Sequence, residues 1–226
     1  MTKEKEKMKT KRVIKAAIVL CLLLITVAIA ANEILVQDVA GSSLSPIVFG
    51  VDTELDPADD GTNLTDDIGT DTVDVEIDLD AIADTETRQS AKADLGATRA
   101  LYYNVLASID FTGETPTDGD AVEFYWAPST ASAAGNGNID GNSGTDADVP
   151  SGVVSGVDDD EFLKHCIFIG NLTCNADGGV VTGYVGRFSP PTRYGQLVVK
   201  NESGDAFEAD AVESHVVFMP LVNELQ

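Results

Sequence analysis

The chain has 226 residues, 43% of them apolar and only 6% aromatic, with 38 acidic against 14 basic side chains and a net charge of −24. That charge excludes a nucleic-acid surface, whose affinity comes from cations meeting phosphates, and it repels anionic membrane. It suits high salt, a cationic partner, or solubility outside the cell.

The charge is unevenly placed. Lys3, Lys5, Lys7, Lys9, Lys11, Arg12 and Lys15 oppose only Glu4 and Glu6, so the first fifteen residues carry +5 and the rest −29. An apolar run follows, Ala16–Ala31, with Thr26 its only polar member. A basic head, an apolar stretch and the Ala28-Ile29-Ala30 exit describe an export signal cut after Ala30 or Ala31. Sixteen residues fall short of the roughly 20 of a spanning helix, so an uncleaved N-terminal anchor is the alternative. Residues 1–31 are therefore read as a signal peptide or membrane-anchor helix. The body is expected to be secreted or held at the cell surface, touching membrane only through residues 16–31 if these are retained.

The body divides into an acidic segment of strands and linker, 32–90, and a β-sandwich domain, 91–226, interrupted by a Gly/Asp/Ser/Ala loop at 128–160. Val73, Val75, Ile77 and Leu79 alternate with Asp74, Glu76 and Asp78, the pattern of a half-buried strand. Ala81–Arg88 has room for one short helical turn. Leu101–Phe111 alternates again, turn residues fill Thr112–Asp120, and Ala121–Trp126 returns, so 101–126 reads as a hairpin. Further strands are expected at Phe162–Leu172, Val180–Phe188, Gln196–Lys200 and His215–Pro220. Asp177-Gly178-Gly179 turns between the first two of these, and Ser189-Pro190-Pro191 ends the second. Many short strands and no long helical period predict an all-β antiparallel sandwich, jelly-roll-like, behind the N-terminal hydrophobic segment.

Catalytic signatures are missing from the sequence. There is no G-x-S-x-G elbow, no GxGxxG and no P-loop, and two histidines without a C-x-x-C exclude the usual zinc patterns. Cys21 would leave with a cleaved signal. Cys166 and Cys174 are too far apart for a disulfide if one continuous strand joins them and could face each other if Gly170-Asn171 turns; they are expected as buried thiols.

Two constellations remain. Asn136, Asn138, Asp140 and Gly141 begin like a calcium loop, with alternate oxygen donors followed by Gly; Asp146 and Asp148 flank Ala147, where that loop requires a bidentate Glu. These residues are the calcium candidates; no other cofactor is expected. Carboxylate runs at Asp158–Glu161 and around Asp56–Asp67 are solvated charge unless a cation gathers them. Phe124-Tyr125-Trp126 is the densest aromatic string, and Tyr125 and Trp126 are the candidates for stacking on a sugar. Asn63, Asn171 and Asn201 head glycosylation sequons, which arise easily by chance in this composition.

From about Arg88 onward the chain resembles a loose group of β-sandwich virion proteins of tailed bacteriophages and prophages. The resemblance is carried by Arg88-Gln89-Ser90-Ala91-Lys92, Asp94-Leu95-Gly96, Phe124 to Ser129, Phe168-Ile169-Gly170, Gly183 to Gly195 and Val198 to Gly204. It implies an accessory structural role, such as decorating a capsid or fibre, and brings no catalytic residues. The expected function is thus that of a non-enzymatic structural or decoration protein of virion or cell-surface type, forming a homo-oligomer or a larger virion or surface assembly. The alternative is an exported carbohydrate- or calcium-binding adhesion module.

Overall fold

The structure is a computed structural model; it describes residues 45–51, 73–97, 99–140, 142–149, 159–209 and 214–221. The N-terminal signal or anchor, the acids from Asp56 to Asp67, Asn63 and Asp158 lie outside the described residues. All described residues belong to one unit within Ala40–Val222.

Two sheets pack face to face. The first (sheet A) runs β2 (Val73–Glu76), β1 (Ile47–Gly50), β11 (His215–Pro220), β5 (Tyr103–Phe111), β9 (Gly179–Phe188). The second (sheet B) runs β7 (Ala147–Asp148), β3 (Thr87–Gln89), β10 (Tyr194–Glu202), β6 (Ala121–Ser129), β8 (Ile167–Thr173), with β4 (Ala93–Asp94) also pairing β10. Every pairing is antiparallel except β1 with β2. The protein is an all-β sandwich, as the alternation predicts.

Alternation also builds the core. Val105, Ala107, Ile109 and Phe111 of β5 face Val122, Phe124 and Trp126 of β6 across the gap, with Leu197 and Val199 of β10 beside them, all buried. An aromatic group fills the middle: Phe218 has Phe49, Phe188, Trp126 and Tyr103 around it at ring separations of 4.7, 5.1, 5.8 and 6.2 Å. Offset and edge-on rings at such spacing add to burial, and truncating one costs about 3–5 kcal/mol.

Five sequence expectations change. The 101–126 hairpin does not form: β5 and β6 are consecutive but lie in opposite sheets, so Thr112–Asp120 crosses between layers. Gly113 and Gly119 do take the left-handed backbone that such turns use. Asp177-Gly178-Gly179 likewise links two sheets. Phe162 and Leu163 sit on a short helix, α1 (Asp159–Leu163), rather than on a strand. No helix forms at Ala81–Arg88, where Ala81 and Thr85 have φ of 50° and 69°. Finally, β1, β2 and β3 are members of the two sheets, so segment 32–90 contributes to the sandwich rather than only leading into it.

One edge is closed by paired irregularities. The β6–β8 register slips between Phe124 and Tyr125, leaving Ile169 without a partner, and the β5–β9 register slips between Val105 and Leu106, leaving Val185 without one. These bulged residues are buried, and their neighbours are glycines. A Cβ on Gly170 would collide with the Val185 carbonyl, and one on Gly186 would meet the Ile169 carbonyl. Bare backbone on both strands lets the two sheets touch there.

Candidate functional site

The loop after β6 runs over the outward side of sheet B, held by side chains that point out of the sheet. Gln89, Gln196, Ser129 and Lys92 do this work. Lys92 Nζ donates to the carbonyls of Ala131, Ala133 and Asn136 at 3.1, 2.7 and 2.8 Å. Burial pulls the Lys92 ammonium below the ordinary lysine pKa. Ser129 Oγ donates among the carbonyls of Ala131, Asn136 and Gly137. Buried Gln89 Nε2 donates to Ser143 Oγ and to the Thr145 carbonyl, and buried Gln196 Oε1 accepts from Asn142 Nδ2 at 3.1 Å. Left-handed Gly137 and Gly144 make the bends, and a Cβ on Gly144 would collide with the Ala134 carbonyl.

Arg88 anchors the far end. Its Nε and Nη2 grip both oxygens of Asp146 at 2.8 and 2.6 Å, and its Nη1 reaches Asp148 at 2.9 Å. Asp78 stands 3.7 Å away. Asp146 first, and then Asp148, raise the Arg88 pKa against the opposing effect of burial. Arg88 pairs in register with core-facing Val199, so it closes the open edge of the sandwich rather than its outer face.

The calcium candidates therefore do not converge. Asp146 and Asp148 are taken by Arg88. Asn136 gives its backbone carbonyl to Lys92. Asn138 Nδ2 bonds the Ala134 carbonyl at 2.7 Å and the Asn142 carbonyl at 3.3 Å, and Asp140 is exposed. Among the described residues no group of three His, Cys, Asp or Glu side chains is placed to hold a metal. The loop is organised by the chain's own cations. Their scarcity was the available signal: only Arg88, Lys92, Arg99, Lys164, Arg187, Arg193 and Lys200 follow residue 15. Arg193 grips Asp94 with two 2.6 Å bonds, Lys200 reaches Asp160 and Glu202, and Arg187 bonds the Asn104 amide oxygen.

The two aromatic candidates part ways. Trp126 is fully buried, packed so tightly under Gly195 that a Cβ there would collide with the indole, so it offers no face to a sugar. Tyr125 points outward, half buried, and its hydroxyl donates to Glu123 Oε2 at 2.6 Å. Burial, then this bond, raises its pKa. Phe168 stands edge-on to Tyr125 at 5.2 Å and is the exposed ring of the pair.

α1 adds a small second core. Phe162 and Leu163 cover Ala127, Val149 and Val198 on the outward side of sheet B. Cys166 and Cys174 flank β8 as free thiols, pushed by burial up to about 12 and about 11. A thiol so shifted is a poor nucleophile at neutral pH. Of the sequons, Asn201 is buried with its amide bonded to the Ile82 and Asp205 carbonyls, whereas Asn171 is exposed on β8.

Segments far apart in sequence meet in pairs. Asp94 binds Arg193, Trp126 packs on Gly195, and Gly170 abuts the Val185–Gly186 bulge. No protein-family model, curated protein or solved structure matches the chain.

Proposed function

We propose that the chain is a non-enzymatic structural subunit of virion or cell-surface type, a jelly roll that acts outside the cytoplasm as one copy of a larger assembly. The observation that carries this reading is the strand order. Setting aside β2 and β7, which extend the sheets at one edge, and the two-residue β4, eight strands remain, and numbered in chain order they run 1-8-3-6 in sheet A and 2-7-4-5 in sheet B. Two Greek keys wrapped in that order make a jelly roll, an architecture used by viral capsid domains and by lectins. Fold analogy alone does not assign function. The reading gains from the engagement of polar groups: the loop's carboxylates and amides serve Arg88, Gln89, Lys92 and Gln196, Cys174 is buried and Cys166 is partly so. The hydrophobic segment Ala16–Ala31 is taken as the export signal or anchor.

The test is where the chain is found. Purified particles or surface fractions should contain it in many copies per particle. Recovery solely as a free monomer that turns over a substrate would overturn the proposal.

A second reading, an exported carbohydrate-binding module, has one observation in its favour. Phe168 and Tyr125 form an outward aromatic pair beside Glu123 and exposed Asn171. Soluble glycans that bind the wild type and lose affinity on Phe168→Ala would favour it.

A further inference from the structure

Sheet B has its outward side covered by the chain itself, through the 130–149 loop and α1. The outward side of β5, β9 and β11 is covered only in part: Val217, Ser108 and Asp110 are buried there, and the β9 side stands open. Directly paired residues share one side of a sheet. Three outward rows therefore cross these strands: Met219–Asn104–Arg187, Val217–Leu106–Tyr184 and His215–Ser108–Thr182, with Val180 opposite Asp110 beyond them. Tyr184 is 59% exposed, Val180 46%, Leu106 38% and Met219 37%. Half of the large apolar side chains exposed among the described residues thus stand on this one face. Single exposed apolar residues are ordinary; a contiguous set marks a contact.

Charge indicates the occupant. The one carboxylate pointing outward on these three strands is Asp110, and it is buried, accepting from the backbone N–H and hydroxyl of Thr112 at 2.7 and 2.6 Å. Arg187 and His215 border the apolar row. Elsewhere the chain is crowded with acids, so two copies repel through most of their surface and can approach through this face. A two-fold contact sets the same patch against itself.

We infer that the outward face of β5, β9 and β11, centred on Leu106 and Tyr184, is a contact between two copies of this chain. The inference rests on the structural-subunit reading and names the surface that it uses. Three strands about 4.8 Å apart, each presenting three or four outward residues about 6.8 Å apart, give a patch of a few hundred Å². A stable pair needs about 800 Å² per partner, so this contact is weak and concentration-dependent, gaining strength from repetition in an assembly. Salt strengthens it, because screening removes the repulsion between the acidic bodies and leaves the apolar contact in place.

Sedimentation velocity on the full chain tests this, with NaCl raised from about 0.05 to 1 M to shorten the screening length. The wild type should associate more strongly as salt rises. Tyr184→Glu and Val180→Glu should each weaken association by about tenfold or more. Phe168→Glu, which changes a ring of similar exposure on the other sheet, should associate as the wild type does. Circular dichroism confirms that each variant is folded. Assembly unaffected by Tyr184→Glu and Val180→Glu would place the contact elsewhere, overturning this inference while the subunit reading stands. Assembly that dissolves in salt would mean an ionic interface and would also overturn it. A wild type that stays monomeric at every concentration and salt would overturn both.

Discussion

Lys92 gives its three ammonium hydrogens to three carbonyls of one loop, as a bound ion would. Lys92→Met keeps the stem and removes the donors. It should cost about 1–3 kcal/mol, because the carbonyls are left without a partner. The amides of Thr130 and Asn136, which bond within the loop, should exchange faster in hydrogen-exchange measurements. Unchanged melting and exchange would contradict this role. Arg193 acts at the start of β10, on Asp94 of β4. Its hydrogen bonds, helped by the Gly96 amide, hold the Asp94 carboxyl below its ordinary pKa. A depressed folded value means that the contribution is complete above the ordinary aspartate pKa, about 4, and is lost as pH falls through the folded value. The pair is nearly half exposed, so solvent screens it and its contribution is small. Asp94→Asn should therefore melt lower than the wild type at neutral pH, and the two curves of Tm against pH should converge in acid.

Among the elements, the β8/β9 edge makes the sharpest stability claim. Gly170→Ala should cost about 1–3 kcal/mol, since a rigid carbonyl stands where the Cβ must go. Gly135→Ala is the control: nothing lies within 4 Å of its Cβ position, and removing backbone freedom there should be neutral or stabilising by up to about 1 kcal/mol. Equal melting temperatures for the two variants would mean that the edge is not closed by backbone approach. The strands themselves were legible because period-two alternation is written residue by residue, as in Val73–Glu76 and Tyr103–Phe111. Their partners were not. The glycines of Thr112–Asp120 announce a turn without saying whether the chain returns beside β5 or crosses to the other sheet. Phe162 and Leu163 looked like strand because they are apolar. The three acids before Phe162 were the contrary signal, since carboxylates favour a helix N-terminus. The loop's oxygen spacing suggested calcium, and the cations that hold the loop instead lie 39 or more residues away in sequence.

At the scale of the whole molecule, charge and architecture point the same way. A chain with 38 acidic and 14 basic side chains repels itself when folded, and the few cations are used to join segments. Raising NaCl from about 0.05 to 1 M should increase Tm, because screening relieves that repulsion over the exposed surface. A fall in Tm would mean that the exposed ion pairs contribute more than the repulsion costs. Calcium should leave Tm unchanged, since Asp146 and Asp148 are engaged with Arg88. The most direct measurement of the central claim is light scattering on the full chain over a wide concentration range, with calcium and with chelator. The structural-subunit account expects association that grows with concentration and ignores calcium. A monomer throughout, or one that compacts only with calcium, would contradict it.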